Sequence, residues 1–233
     1  MKKISIIIPC YNEKSTVAGV VERVREASFG GLEKEIIVID DGSTDGTAET
    51  IAKISGITVI THPKNLGKGA AVISGFKLAS GDVSVIQDAD LEYDPEDMED
   101  LLAPIVAGDA DVVFGSRFMG DKPRRVLNFH HYIANRGITV VSNLFTNLNL
   151  SDVEVGYKLF TREVIDAIKN SLTAKRFGIE IELAARVSKR KFRVYEVAIS
   201  YRGRTYDEGK KIGWKDGVAA FWYIIKFNII NRH

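Results

Sequence analysis

Val83-Ser84-Val85-Ile86-Gln87-Asp88-Ala89-Asp90-Leu91-Glu92 joins a short, largely β-branched apolar run to three acidic residues at alternate positions. Such a run reads as a buried strand that breaks into a loop. Carboxylates at i and i+2 of an extended segment point to the same side of the backbone, and Glu92 continues that alternation. Three converging carboxylates at a strand end repel one another unless a cation joins them. A hard divalent ion, Mg²⁺ or Mn²⁺, fits that need, with Asp88, Asp90 and Glu92 as oxygen ligands beside substrate phosphates. The same residues would also serve as a solvated acidic loop, because Asp94-Pro95-Glu96-Asp97 carries helix-start chemistry. The neighbouring segments bear on the choice.

Strand-like runs over 4–10, 35–40, 57–61, 82–87 and 111–115 alternate with helical patterns over 15–27, 47–54, 69–79 and 95–106. Near-continuous apolar strands between helices predict an α/β fold, a mostly parallel central sheet with helices on both faces. In such sheets ligands collect at the carboxyl ends of the strands. Pro9-Cys10-Tyr11-Asn12-Glu13 follows the first strand, Asp40-Asp41-Gly42-Ser43-Thr44-Asp45 the second, and the acidic cluster the fourth. Three acidic, turn-rich segments on one sheet edge exceed what helix capping requires, although Ser43, Thr44 and Asp45 suit a cap. Asn65-Leu66-Gly67-Lys68-Gly69 precedes a helix, as phosphate-cradling loops do. It lacks the full P-loop spacing, and no G-x-G-x-x-G follows the first strand, so it is a tight turn or a binding element.

With 233 residues, the chain can bury a sizeable core in one large domain. Its 32 basic and 31 acidic residues nearly cancel, which argues against a nucleic-acid binder. The single cysteine, Cys10, excludes a disulfide framework and fits a reducing, cytoplasmic setting. The apolar run after Met1-Lys2-Lys3 is too short for a signal peptide, and no run of about 18 apolar residues spans a bilayer.

The segments S-I-I-I-P-C-Y-N-E (5–13), I-V-I-D-D-G-S-T-D-G-T (37–47), N-L-G-K-G-A-A-V-I-S-G-F (65–76), Q-D-A-D-L-E (87–92) and V-V-F-G-S-R-F (112–118) occur in this order. Together they resemble family 2 glycosyltransferases of the GT-A fold, with a Rossmann-like nucleotide-binding half. Within that family the chain is similar to the dolichyl-phosphate mannose or glucose synthase group, and the likeness extends to about Lys226. The resemblance implies a nucleotide-diphospho-sugar held by Pro9, Tyr11, Glu13, Asp40 or Asp41, Lys68, Asp88, Ala89 and Asp90. The family's D-x-D falls on Asp88 and Asp90. Glu92 stands where polyprenyl-phosphate enzymes often carry glutamine, which leaves its metal contact open.

Arg117 ends the fifth strand beside the carboxylates, either ion-paired with Asp88 or Asp90 or presenting its rigid fork to a phosphate. The resemblance places it on the acceptor phosphate. Residues 127–148 show an apolar side made by Phe129, Ile133, Val140, Val141, Leu144 and Phe145, with Gly137 as a break. By resemblance this is an interfacial helix whose His131, Asn135 and Arg136 approach a lipid phosphate; an ordinary core helix reads equally well. Asp152 opens the segment that closes over the sugar in the family, as a structural, sugar-contacting carboxylate or as a base. A phosphate acceptor, already anionic, needs no base.

Another amphipathic helix begins near Phe177, and a strand over 192–201 leads into a polar loop. There Arg202 and Arg204, helped by Lys210 or Lys211, would neutralise a departing diphosphate; a solvated charge run is the alternative. A final unit, 213–233, is aromatic and apolar, suited to a peripheral membrane surface, a homodimer contact or the sheet. The expectation is therefore an inverting, metal-dependent transferase, with Asp88, Asp90, Arg117 and Arg202 as catalytic residues. It would move a hexose from UDP-glucose or GDP-mannose to a polyprenyl phosphate at the cytoplasmic membrane face. Transfer to a saccharide or small-molecule hydroxyl, and a non-catalytic nucleotide-sugar-binding module, are the alternatives.

Overall fold

The computed structural model describes residues 1–120, 122–123, 125–126, 129–204 and 214–231. Seven strands form one sheet: β1 (Lys3–Cys10), β2 (Glu33–Asp40), β3 (Thr58–Thr61), β4 (Val83–Ile86), β5 (Val112–Ser116), β6 (Lys158–Thr161) and β7 (Val194–Ala198), in the order β3-β2-β1-β4-β6-β5-β7. Strands β3, β2, β1 and β4 run parallel, as do β5 and β7. β6 is antiparallel to both β4 and β5. The helices are α1 (Val17–Glu26), α2 (Thr47–Ile51), α3 (Lys68–Leu78), α4 (Met98–Val106), α5 (Phe129–Thr146), α6 (Arg162–Ile168), α7 (Ile179–Lys189) and α8 (Trp214–Ile225).

β1 is the centre of the core. Ile4, Ile6, Ile7 and Ile8 are all fully buried, which requires cover on both faces of the sheet. Val17, Val20, Val21 and Val24 of α1 fall at i, i+3, i+4 and i+7 and are all buried, so this helix lays one stripe into the core. Strand order reverses between β1 and β4, the place where open α/β sheets form a ligand crevice. The loop after Cys10 and the loop after Ile86 flank that crevice.

Three features differ from the sequence reading. β6 begins inside the segment from Asp152 to Phe160, for which the sequence gives only a sugar-closing role, and α6 follows it where the sequence predicts no helix. Four residues carry too little periodicity to declare a strand, and β6 is specified by the two strands that enclose it. Gly137 does not break α5, which is continuous over 18 residues. The apolar side expected of α5 is also turned outward: the helix buries Ile138, Thr139, Ser142 and Thr146. Phe129, Ile133, Val140 and Phe145 are exposed, and Leu144 is 79% exposed. α8 packs on α5 and α7, ends in a π-helical turn (Lys226–Ile230), and likewise exposes Val218, Trp222 and Ile229. Among the described residues no helix is long and apolar enough to cross a membrane.

Candidate active site

The crevice opens into a cleft of about 1000 Å³ at the carboxyl ends of β1, β2, β4 and β5. Pro9, Cys10, Tyr11, Glu13 and Asp41 line one end, and Asp88, Ala89, Asp90 and Glu92 its floor. Arg117, His131, Asn135, Glu154 and Glu180 also line it. Asp40 is buried just behind this wall, where its Oδ1 accepts the Ser43 amide at 3.0 Å and caps the loop.

Asp41 is the keystone of the nucleotide end. Its carboxylate accepts the amides of Leu66 (3.0 Å) and Gly67 (2.7 Å) and contacts His62 Nδ1 at 2.7 Å. The N-L-G-K-G loop thus spends two amides on Asp41 and is a clamp on a carboxylate, not a phosphate cradle. Gly67 is required there: φ is +95°, and a Cβ would meet the Lys175 carbonyl oxygen at 2.3 Å. His62 Nε2 lies 3.0 Å from Ser74 Oγ. A proton on Nδ1 would be donated to Asp41, while the Ser74 hydroxyl, which can donate or accept, completes the network at Nε2. The sequence reading missed His62; its position at the end of β3, on the ligand edge, was the available signal. His62→Ala removes a hydrogen bond to a buried charge and should cost about 2 kcal/mol. Urea melts check this, and an unchanged midpoint would show that the two amides alone hold Asp41.

The acidic floor is not the extended ladder that alternation predicts. Leu91 adopts φ +61°, a left-handed turn that is strained for leucine, and this redirects Glu92. Glu92 accepts the Tyr201 hydroxyl at 2.9 Å and the Arg204 amide at 2.8 Å, tying the loop to the 201–204 segment. Asp88 pairs with Lys68 Nζ at 2.7 Å, and Lys68 also meets Glu180 at 2.9 Å. Burial pulls the Lys68 ammonium down, but Asp88 and Glu180 more than offset it and hold its proton above the usual range. Asp90 meets Arg204 at 3.1 Å, yet its carboxyl is pushed up to about 7, by burial first and then by Asp88 and Glu92. Negative charge here exceeds what the neighbouring cations neutralise. That excess, on oxygen donors in a cleft, fits a hard divalent ion on Asp88 and Asp90.

Arg117 does not pair with Asp88 or Asp90, as one sequence reading had it. Its Nε and Nη2 each donate to the buried Asp152 at 2.7 Å, and its backbone amide to the same carboxylate at 3.2 Å. Asp152 therefore orients an arginine and does not line the cleft. Gly156 lets the following backbone press on the floor, since a Cβ there would meet Asp88 Oδ2 at 2.3 Å. Its amide donates to Tyr93 Oη at 2.9 Å.

A family model described as glycosyl transferase family 2 matches residues 5–169. The chain belongs to this family. A dolichol-phosphate mannosyltransferase of Pyrococcus furiosus is 33% identical over 91% of the chain and 60% of its own length. The low-salt glycan biosynthesis hexosyltransferase Agl6 of Haloferax volcanii is 29% identical over 98% and 53%. A UDP-N-acetylglucosamine–dolichyl-phosphate N-acetylglucosaminyltransferase of Methanococcus voltae is 27% identical over 96% and 95%. The family 2 chain thus spans little more than half the length of the first two relatives. In three dimensions it is similar to glucosyl-3-phosphoglycerate synthase of Mycobacterium tuberculosis, solved with Mn²⁺, UDP and phosphoglyceric acid. The TM-score is 0.75 at 22% identity, covering 98% of this chain and 79% of that one, and the shared fold is GT-A.

Measured against the sequence reading, this glycosyl transferase brings Pro9, Tyr11, Glu13, Asp41, Lys68, Asp88, Ala89, Asp90, Glu92, Arg117, His131 and Asn135 to one cleft. Arg202 is corrected: its side chain is 73% exposed, pairs with Asp94 at 3.6 Å and lines no part of the cleft. Arg204, two residues on, lines the cleft instead, where it meets Glu13 and Asp90. Arg136 points away, donating to the Ser151 carbonyl at 3.4 Å. Lys211 lies outside the described residues.

Proposed function

We propose that this chain is an inverting, metal-dependent hexosyltransferase that moves a hexose from a nucleotide-diphospho-sugar to a polyprenyl phosphate. The observation that carries the acceptor is the mouth of the cleft. Val126 (92% exposed), Phe129 (68% exposed) and Tyr132 line it and continue into the outward apolar face of α5. A lipid chain has apolar surface to lie on there, while Arg117, His131 and Asn135 supply donors for its phosphate further in. Family membership and the dolichyl-phosphate enzymes among the relatives support the same acceptor class.

Tyr11 and Asp41 offer an aromatic face and a carboxylate to the nucleotide end. Asp88 and Asp90 would hold Mg²⁺ or Mn²⁺, which as a Lewis acid stabilises charge on the leaving diphosphate. Lys68 and Arg204 add fixed positive charge at the same place, aimed where charge develops in the transition state. Arg117, oriented by Asp152, places its positive charge where the acceptor phosphate would sit. That phosphate is ionised at neutral pH and attacks the anomeric carbon without a base.

One observation favours a second reading: the Glu154 carboxyl is pushed up to about 7, by burial first and then by Glu180, which suits a general base for a hydroxyl acceptor. Radiolabelled UDP-glucose and GDP-mannose, given with Mn²⁺ and detergent-dispersed polyprenyl phosphate, separate the two. Organic-phase label that disappears on chelation is the expected result. Label only in water-soluble product would sink the lipid acceptor.

A further inference from the structure

We propose that Tyr201 is a positioning residue for both halves of the transfer: its ring seats Arg117 for the acceptor phosphate, and its hydroxyl fixes Glu92 beside the donor carboxylates. The inference rests on the glycosyl-transfer reading and adds a residue to its machinery.

Tyr201 lies just past β7, lines the cleft and is 6% exposed. Its backbone is fixed on both sides. The amide donates to the Pro123 carbonyl at 3.1 Å, and the carbonyl accepts the Arg125 amide at 2.8 Å. A β-bridge joins it to Tyr93 after the acidic floor, and the two ring centres are 5.7 Å apart. From this seat one side chain reaches two charged groups.

Arg117 Cζ lies over the Tyr201 ring, 5.2 Å from its centre, within cation–π range. Asp152 grips the same guanidinium along one edge, through Nε and Nη2. A bidentate pair fixes that edge but lets the plane tip about it, and a ring against the cation opposes the tipping. At the other end of Tyr201, the hydroxyl donates to Glu92 Oε2 at 2.9 Å, while the Arg204 amide supplies Oε1 at 2.8 Å. With both oxygens of Glu92 supplied, the Arg204 guanidinium turns to Asp90 at 3.1 Å, and its Nε stays 3.5 Å from Glu92. A core aromatic needs neither contact. Tyrosine offers an apolar face and a polar tip together, and here each meets a charge of the site.

Two substitutions divide these roles. Tyr201→Phe keeps the ring and removes the hydroxyl, so Glu92 loses a donor and draws Arg204 from Asp90. In calorimetric titration of the Mn²⁺-loaded variant, UDP-glucose or GDP-mannose, whichever the parent prefers, should bind about tenfold more weakly, as expected for one lost hydrogen bond to a charged group. Its KM for detergent-dispersed polyprenyl phosphate should stay at the parent value. Tyr201→Leu removes ring and hydroxyl, and should also raise the acceptor KM about threefold to tenfold. Because the ring acts through Arg117, adding Tyr201→Leu to Arg117→Lys should raise that KM little beyond Arg117→Lys alone.

Tyr201→Phe with a raised acceptor KM, or with donor affinity unchanged, would overturn the proposal. Effects of Tyr201→Leu and Arg117→Lys that multiply in full would overturn it too. The phenylalanine variant keeps the packing on Tyr93, so its two constants decide even where the leucine variant fails to fold. A parent protein that bound neither sugar nucleotide would bring down the glycosyl-transfer reading itself. A parent that transfers sugar while Tyr201→Phe matches it in both constants would bring down the positioning role alone.

Discussion

The Asp90→Asn variant is expected to lose about 100- to 1000-fold in transfer rate, the range seen when one preorganised charge-stabilising group is removed from an active site. It should also melt at a higher temperature than the parent at pH 8. Both effects have one cause. Asp90 is half-buried beside Asp88 and Glu92, and its carboxyl is raised to about 7 from the ordinary aspartate value. A raised carboxyl penalises the ionised folded state. The penalty is complete above pH 7, shrinks as pH falls, and vanishes below the unfolded-state value near 4. Asparagine at this site removes the penalty, so the gain in melting temperature should disappear in acid. On the proposed function, a cation and a diphosphate would relieve this repulsion, a trade of stability for function. Metal binding must displace the proton, so Mn²⁺ affinity of the parent should rise about tenfold from pH 6 to pH 8. Near-parental turnover of Asp90→Asn with Mn²⁺ saturating would show that Asp90 does not carry the reaction.

The Asp152→Ala variant should lose about 3–5 kcal/mol of stability, because it strands a buried arginine charge. For a chain of this size that is about 10 °C in Tm. The pair is bidentate, with both contacts at 2.7 Å, and Asp152 is fully buried. Stability alone would not separate a structural pair from a functional one. Arg117→Lys keeps the charge but not the fork, so it should lose acceptor affinity, read as a raised acceptor KM, with donor KM unchanged. Replacing both partners together, Arg117→Met with Asp152→Leu, should recover most of the lost stability, since apolar pairs of similar volume often match a buried ion pair. Activity should not return. If the double replacement restored transfer, Arg117 would be scaffolding and the acceptor phosphate would have to be held elsewhere.

The parallel half of the sheet was legible because its strands are near-continuous apolar runs and its helices carry stripes at the helical period, as in β1 and α1. The sheet-edge rule then gathered Tyr11, Asp41, Asp88 and Asp90 correctly, since strand ends in one parallel sheet share an edge whatever the loops do. β6 escaped because four residues hold no usable period. The orientation of α5 escaped for a different reason. Its apolar stripe is real, but this helix faces its polar members inward, where Val153 donates to the Thr139 hydroxyl at 3.2 Å. A stripe shows that a helix has two faces, not which of them meets the protein.

Chain order and residue type were sufficient for the acidic floor at Asp88 and Asp90, for the fold around it and for the family, because those depend on local runs and motif spacing. They did not settle which charges meet. Arg117 finds Asp152, 35 positions away, rather than the nearer aspartates, and Lys68 joins Asp88 to Glu180 across three elements. Arg204 rather than Arg202 faces Asp90: the Arg204 amide is tied to the Glu92 carboxylate, while the Arg202 side chain pairs with Asp94 in solvent. Glu154 and Glu180 become neighbours only when α7 packs beside the segment entering β6. Partner choice among like-charged candidates is decided by distances of a few ångströms, and those exist only once distant segments are packed together.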